Sequence, residues 1–515
     1  MQQTQYDAIV IGAGHNGLVT SAYLAKEGLK VLVLERLERV GGAVVSEELT
    51  RGFNVPFCSY VLHILQGRVI DDLELREHGL DIIPFIANRF DPFPDGRFIM
   101  TYREQHKNGE ELRKFSEHDA LAYPEWASFW GRASGLLHRY WFQEPPTLAQ
   151  VYEDVRGTSD EEVWETMLTV SARDLIDRYF ENDAVKAHFI DAQDAGDPSA
   201  PGSILSMAYM RISQFTKPEN YGIPRGGMSQ LAFAMARSAE AKGVEIRLNA
   251  RVDRLIVEDG VAQGVRLTDG EEIRSFMVIS NADPKRTYNT LVDASDLSNE
   301  TRHRVNSLTT RANCVKLLVA LSELPDFSRY MGSGYDPRLT AYFRICPSVE
   351  YFQQSWDDAR NGFPSSCPIM NVQVPSIYDP SLAPGGHHVL SAWTLYAPTN
   401  LKEGSWETEG PKVGMQLIDI LSDYIPNFRE SIVDWTLQTP KDIETRQFLT
   451  DGNIRHIDIT SSQIMAGRMP YRSPIERMYL CGSGAHPGGE ITGVPGYNAA
   501  KAILKDLKKV AMSPR

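Results

Sequence analysis

DAIVIGAGHNGLVTSAYLAKEGLKVLVLE, residues 7–35, reads as a strand, a glycine-rich turn, a helix and a second strand. The apolar run from Asp7 to Ile11 stops at Gly12, Asn16 to Glu27 carries Leu18, Ala22 and Ala25 at helical spacing, and Val31 to Leu34 is apolar again. A connection this short that returns in the same direction makes the two strands parallel neighbours in a right-handed βαβ unit. Gly12, Gly14 and Gly17 spell G-x-G-x-x-G. In a dinucleotide site the first permits the tight turn, the second lets backbone approach a pyrophosphate, and the third lets helix and strand pack closely. The helix N-terminus offers free N–H groups to the phosphates. Glu35 closes the second strand, at the offset where a carboxylate accepts hydrogen bonds from adenosine ribose hydroxyls. The bland alternative, an ordinary turn followed by a surface acid, has to explain strand, helix and carboxylate together.

Gly41-Gly42 follows six residues after Glu35. Paired glycines let backbone pass close to a bulky ligand, and at this offset they separate flavin proteins from nicotinamide-only dehydrogenases. Pro224-Arg225-Gly226-Gly227-Met228 is a punctuation point where a surface turn and a return to the cofactor are equally open. Arg251-Val252 opens a strand whose backbone can meet an adenine. The C-terminal run YLCGSGAHPGGEITGVPGYNAA, residues 479–500, is dense in glycine, so its backbone N–H groups can lie against a ligand. Pro495 fits the first turn of a helix, whose positive dipole end would stabilise the anion of a reduced flavin.

A chain of 515 residues exceeds one hydrophobic core, so two to three domains are expected. The net charge of -14, with no basic stripe, argues against nucleic acid. Five widely spaced cysteines without C-x-x-C indicate free thiols and a reducing compartment. Met1 to Tyr6 is polar and leaves no room for a signal peptide, and no run approaches the ~20 apolar residues that span a bilayer. The expectation is a cytoplasmic protein whose membrane contact, where there is any, is peripheral. From about Asp91 to Ile223 the pattern turns to long helices with aromatic clusters, Tyr123, Trp126, Phe129 and Trp130 and then Tyr140 to Phe142. A helix from Gln230 to Lys242, a strand from Val244 to Leu248, turns at Asp259-Gly260 and Asp269-Gly270, and a strand from Phe276 to Ser280 return to the first unit. Strands at Val315–Ala320, Ile369–Val374 and His388–Tyr396 and a helix at Val413–Tyr424 go with the second unit. Met478–Cys481 and the helix Ala499–Val510 close the first.

These pieces resemble the phytoene-desaturase-like flavoproteins, and within them the subgroup of the pyridine nucleotide-disulfide oxidoreductase domain-containing protein 2 and the long-type carotene ketolases. The carriers are Ile11 to Leu18, Glu35-Arg36 with Gly41-Gly42-Ala43, Ser59-Tyr60 leading to Asp72–Leu75, Gly226 to Met228, Ile279 to Ala282, and Tyr479 to Gly489. The resemblance implies an α/β chain with a discontinuous Rossmann-type FAD-binding domain of the amine oxidase and desaturase type and an inserted α+β substrate domain. The FAD-binding pieces are 1–90, 224–300 and 454–515, and the insert is 91–223 and 301–453. It implies FAD as the only redox cofactor, a hydride taken from a small apolar organic substrate onto flavin N5, and oxygen or a quinone as electron acceptor. The expected cofactor contacts are Gly12, Gly14, His15, Asn16, Gly17, Glu35, Arg36, Gly41, Gly42, Ala43, Arg225, Gly226, Val252, Asn281, Gly482, Gly489, Gly493 and Val494. The residues themselves argue against a disulfide reaction, since no cysteine pair lies near the first βαβ unit, and the departure at Glu490–Pro495 argues away from a carotenoid.

His486 and Glu490 stand in the C-terminal segment as general acid–base candidates, against the plainer readings of a turn hydrogen bond and a solvated acid. Tyr60, His63, Phe215 and Trp393 are candidates to line a substrate tunnel, against plain interior packing. Trp126 and Trp130 read first as core and second as a tunnel or membrane face. Cys481 reads as a small buried residue with no covalent flavin link, and His387-His388, on opposite faces of a strand, as no metal pair. Two alternatives to a desaturase-type enzyme are a flavin amine oxidase, which commonly frames its flavin with aromatic rings, and a non-catalytic binder on the same fold, as in Rab GDP-dissociation inhibitors. The intact glycines and Glu35 argue against the second.

Overall fold

The structure, a computed structural model, describes residues 6–512; the polar lead of residues 1–5 lies outside the described residues. Tyr6–Ile11 and Val31–Leu34 pair in parallel across the helix His15–Lys26, with Ala8 opposite Val31 and Ile11 opposite Leu34. All four residues of Val31–Leu34 are buried, which is why this strand is uninterruptedly apolar. The sheet recruits remote segments in parallel: Glu272–Ser280 beside Tyr6–Ile11, Met478–Leu480 beside Glu272–Ser280, and Glu245–Arg247 beside Val31–Leu34. Val252–Glu258 and Val261–Leu267 extend it as an antiparallel meander. The turn joining those two places Asp259 and Gly260 at φ of 51° and 77°, the left-handed pair that a tight hairpin favours.

A second sheet runs in the order Ile432–Gln438, Cys314–Leu321, His388–Leu395, Ile369–Gln373, Tyr342–Ile345, Arg89–Pro92 and Phe98–Thr101. Cys314–Leu321 is buried at all eight positions. Phe90 already pairs with Phe343, so this sheet starts just before Asp91, where the sequence pattern changes. The helix expected from Val413 begins at Trp406 instead and carries Pro411 inside it. Trp406, its first residue, is docked through its indole N–H on the Pro398 carbonyl at 3.0 Å.

Between Asp91 and Ile223 only Glu117–Arg139 is a long helix, of 23 residues; the rest of the helical layer is short pieces. The expectation of several long helices is corrected by capping. Ser116, Thr147, Ser171 and Asn182 each accept a first-turn backbone N–H and so start a new helix where the apolar pattern alone suggests continuation. Trp126 and Trp130 are 2% and 3% exposed. Trp126 packs against Tyr179, Phe180 and Phe189 at centroid distances of 5.4, 5.0 and 5.2 Å, which makes the aromatic stripe core. The layer is tied at its neck by Ile82–Pro84, paired antiparallel with Gly222–Pro224. A Cβ on Gly222 would fall 1.9 Å from the Ile83 carbonyl oxygen, so no larger residue fits that crossing.

Trp126→Ala removes a fully packed indole and is expected to cost about 3–5 kcal/mol of unfolding free energy in a denaturant titration. Association with anionic vesicles is expected to stay unchanged; a variant that keeps its stability and loses vesicle binding would return the stripe to the surface.

Candidate active site

A cavity of about 1170 Å³ lies at the C-terminal ends of Tyr6–Ile11 and Val31–Leu34, the edge where open α/β sheets hold ligands. Of the residues singled out by sequence, it brings together Gly12, Gly14, His15, Asn16, Glu35, Arg36, Gly42, Ala43, Val252 and Asn281 on its lining. Gly17 acts beneath the lining: a Cβ there would sit 2.2 Å from the Gly12 carbonyl oxygen. Gly41, at φ 124°, donates its N–H to the Ala13 carbonyl at 2.9 Å and so draws the 41–43 turn against the glycine loop. The Asn281 amide lies 3.3 Å from the Gly12 carbonyl and only 2.8 Å from where a Cβ on Gly14 would stand. Glu35 accepts from the N–H groups of Ala13 at 2.8 Å and Leu37 at 2.9 Å, while burial raises its pKa against those bonds. Each carboxylate oxygen keeps a second lone pair for a hydroxyl.

Five buried polar atoms of lining residues have no hydrogen-bond partner among the described residues: His15 Nε2, Asn16 Oδ1, Arg286 Nε, Gln447 Oε1 and His456 Nδ1. Burial pulls His15 down to about 4 and His456 to about 3, so both imidazoles are neutral at pH 7. At the rim, the guanidinium groups of Arg36, Arg251 and Arg286 lie 3.7, 4.9 and 4.8 Å from the centre of the Phe448 ring. Sequence reading missed this part of the lining. Gln447, Phe448 and Leu449 come from a stretch expected to serve the substrate, and Phe448 and His456 are left-handed at φ 56° and 67°, which no glycine announces.

Several candidates lie elsewhere. Arg225 is exposed and bonds Asp81 at 2.7 Å, and the Gly226 N–H donates to Asp379 at 2.5 Å, so this turn is held by its own acids. His486 is buried with Nε2 2.8 Å from the Tyr140 carbonyl, is lowered to about 4 by burial, and lines neither this cavity nor the next. Phe215 is 44% exposed and stacks on His138. Gly482, Gly489, Gly493 and Val494 are packing positions: Cβ atoms on the three glycines would meet the Asn281 carbonyl at 2.8 Å, the Arg455 backbone at 2.7 Å and Val69 at 3.0 Å, and the Val494 N–H is taken by Thr492.

A smaller cavity of about 570 Å³ adjoins the first, with His15, Ala43 and Ile454 on the lining of both. Tyr60, His63, Trp393 and Glu490 meet there. Arg455, buried against Gly489, forms ion pairs with Glu490 at 2.5 Å and with Asp194, and its guanidinium stands 5.9 Å from the Trp393 ring. Burial raises the Asp194 carboxyl above the ordinary aspartate range, with Arg455 opposing and Glu490 reinforcing the shift. Beneath Tyr60, Lys316 is fully buried in the strand Cys314–Leu321 and donates to the Pro56 and Cys58 carbonyls at 2.7 Å each. Burial lowers its pKa to about 7. A lysine flanked by Val315 and Leu317 reads from sequence as an ordinary strand residue, so it too was missed.

Residues 17–504 match the family described as flavin containing amine oxidoreductase. The chain belongs to this family. It is 33% identical to the pyridine nucleotide-disulfide oxidoreductase domain-containing protein 2 of Mus musculus, over 98% of this chain and 94% of that one. It is 28% identical to a limonene dehydrogenase chain from Castellaniella defragrans (98% and 95% covered) and 26% identical to the neurosporene-forming phytoene desaturase of Cereibacter sphaeroides (97% and 94%). A putrescine oxidase structure superimposes with a TM-score of 0.62 at 15% identity, covering 99% of this chain and 98% of that one, and shares the fold. This flavoenzyme is thus an FAD-dependent oxidoreductase with a Rossmann-type FAD-binding part and a substrate part. The larger cavity fits that cofactor: its glycine cradle leaves no room for a Cβ at Gly14, and its orphaned imidazoles and amide need a polar ligand. Among the described residues no helix is long and apolar enough to cross a membrane.

Gly14→Val is expected to abolish FAD retention, read as the ratio of absorbance at 450 nm to that at 280 nm in purified protein. For Lys316 the folded pKa of about 7 lies below the ordinary 10.5, so between those values the unfolded chain binds a proton that the folded one does not. Stability therefore rises with pH in that window, by up to about 1.4 kcal/mol per pH unit from this group, and falls toward pH 7. Denaturant titrations at pH 7 and 9 are expected to show a smaller rise in Lys316→Met than in the native protein.

Proposed function

We propose that this flavoenzyme dehydrogenates an apolar small molecule held in the smaller cavity, beside FAD held in the larger one. The observation that carries this reading is the shared lining of His15, Ala43 and Ile454, which makes occupants of the two cavities neighbours. FAD, when bound, supplies a two-electron acceptor that takes a hydride at N5 and passes the electrons on to oxygen or a quinone. The chain's own part is placement. Gly12, Gly14, His15, Asn16, Gly42, Ala43 and Asn281 cradle the cofactor, Glu35 holds its ribose, Arg36 and Val252 face its adenosine half, and Gly17, Gly41, Gly482, Gly489, Gly493 and Val494 keep the surrounding backbone close. In this division residues 1–90, 224–300 and 454–515 serve the cofactor and residues 91–223 and 301–453 the substrate, with 447–449 added to the cofactor side and 43–44, 58–61, 63, 454–455 and 490–491 also lining the substrate cavity.

Trp393, Tyr60 and His63 face the substrate together with Ala43, Val44, Val61, Met210 and Ile491, an apolar lining that suits a hydrocarbon body. The names limonene dehydrogenase and phytoene desaturase belong to relatives acting on hydrocarbons, which agrees with that lining. Glu490, clamped by Arg455, is the carboxylate able to accept the proton that leaves when a second C–H bond breaks. Amine oxidation is the less favoured chemistry: Tyr497 packs edge-on against Tyr23 at 5.1 Å and reaches neither cavity, and of the rings of Tyr60 and Trp393 that line the smaller cavity, Trp393 already faces the Arg455 guanidinium at 5.9 Å.

Anaerobic incubation with monoterpenes, polyenes, aromatic compounds and primary amines tests the reading through loss of the flavin band. Unsaturated apolar compounds are expected to bleach it, and bleaching by simple amines alone would overturn the proposal. Glu490→Gln is expected to keep its FAD and slow bleaching by about 10²-fold or more.

A further inference from the structure

Tyr60, on the lining of the substrate cavity, has its ring 6.4 Å from that of Tyr342, whose hydroxyl is acted on by the charged groups Arg89, Arg344 and Asp191, the near wall of a charged chamber. Met210 and Gln193 also line that cavity, and their near neighbours in the chain, Arg211 and Asp191, belong to the chamber. Three guanidinium groups gather there. Arg89 is bidentate to Asp91, at 2.7 and 2.9 Å, and its side chain is 21% accessible. Arg344 donates to the Ile190 carbonyl at 2.8 Å. Arg211 rests on the faces of Trp130 and Trp126, at 4.4 and 5.7 Å, and makes no hydrogen bond and no ion pair among the described residues. The charged groups acting on it are Asp191, Arg89 and Arg344, and burial lowers its pKa to about 10, so it stays charged.

The chamber therefore holds three positive charges against the carboxylates of Asp91 and Asp191. His188, which bonds Asp91 at 2.7 Å, adds no charge, because burial lowers its pKa. One positive charge is left without a partner in a region where an unpaired charge is costly. Arg211 is only half-buried, and none of its nitrogens is a fully enclosed atom lacking a partner, so its donors are reachable by a ligand.

We propose that this chamber receives a carboxylate carried by the substrate, with Arg211 as its direct partner. This rests on the reading of the smaller cavity as the substrate site and narrows it: the substrate has an apolar body that passes Tyr60 and an acid group that ends at Arg211. A guanidinium stacked on indoles is held in one orientation, which suits a planar two-oxygen anion.

Binding to the FAD-loaded enzyme is read from perturbation of the flavin spectrum on titration with decanoate, decanamide, decanol and acetate. The expected result is that decanoate binds at least tenfold tighter than decanamide and decanol. In Arg211→Met, which keeps the packing on the two indoles, that preference is lost at unchanged FAD content, and Arg211→Lys restores part of it. Equal affinity for decanoate and decanamide in the native protein, a preference that survives in Arg211→Met, or no response to millimolar decanoate each overturns the proposal. The native comparison stands even where a variant does not fold. Acetate binding as tightly as decanoate, with Arg211 still required, would refute the apolar body while leaving the acid site intact.

Discussion

The constraint on which the cofactor half depends is a contact between backbone and absent side chains. Helix His15–Lys26 can start where it does only because Gly17 brings its Cα against the Gly12 carbonyl, and Asn281, from the neighbouring strand, can wedge over the loop only because Gly14 also lacks a Cβ. Two segments separated by more than two hundred residues meet on one small volume of bare backbone. The position of Glu35, the approach of the 41–43 turn and the shape of the larger cavity all follow from that crowding, because each is tied by a backbone hydrogen bond to Ala13 or to the strand ends around it. Side-chain bulk is excluded here so that a ligand's atoms can take the space.

That constraint is also why the cofactor half was legible. Glycines spaced for a phosphate turn, between apolar runs that cannot face water, leave little else for the chain to do, and the strand Val31–Leu34 and the hairpin turn at Asp259-Gly260 lie where the pattern puts them. The C-terminal helix is longer than its apolar period suggests, Val494–Met512 rather than from Ala499, with Pro495 inside its first turn. Glycine density misled at Arg225-Gly226, where a similar-looking turn is bound to Asp81 and Asp379. Composition alone does not distinguish a turn that serves a ligand from one that serves a neighbouring acid.

The substrate half was less legible because its chemistry is made by long-range pairing. Arg455 and Asp194 sit in no motif, and the glycine-rich segment that holds Glu490 names no partner for it; only folding turns the three into a buried ion cluster beside Trp393. Lys316 looks like any lysine in a strand until the sheet encloses it, and Phe448 and His456 reach the cofactor cavity through left-handed backbone that their residue types do not favour. His486 shows the converse: a histidine among glycines next to the expected flavin face spends its ring on the Tyr140 carbonyl.

The neck formed by Ile82–Pro84 and Gly222–Pro224 has a consequence for how such a chain assembles and how it can change. Three residues on each side close a loop of nearly 140 residues, a closure that costs about 4 kcal/mol of chain entropy before any helix of the loop is packed. Once the clip is made, the helical layer enters and leaves through a pair of short strands whose crossing admits only glycine at position 222, while Arg89–Pro92 and Phe98–Thr101 join its start to the second sheet. Lineages can then rewrite the helices inside the loop, and with them the size and polarity of what is admitted, while the clip keeps the rewritten layer over the same opening. The hinge between a fixed redox machine and a replaceable mouth is six residues wide.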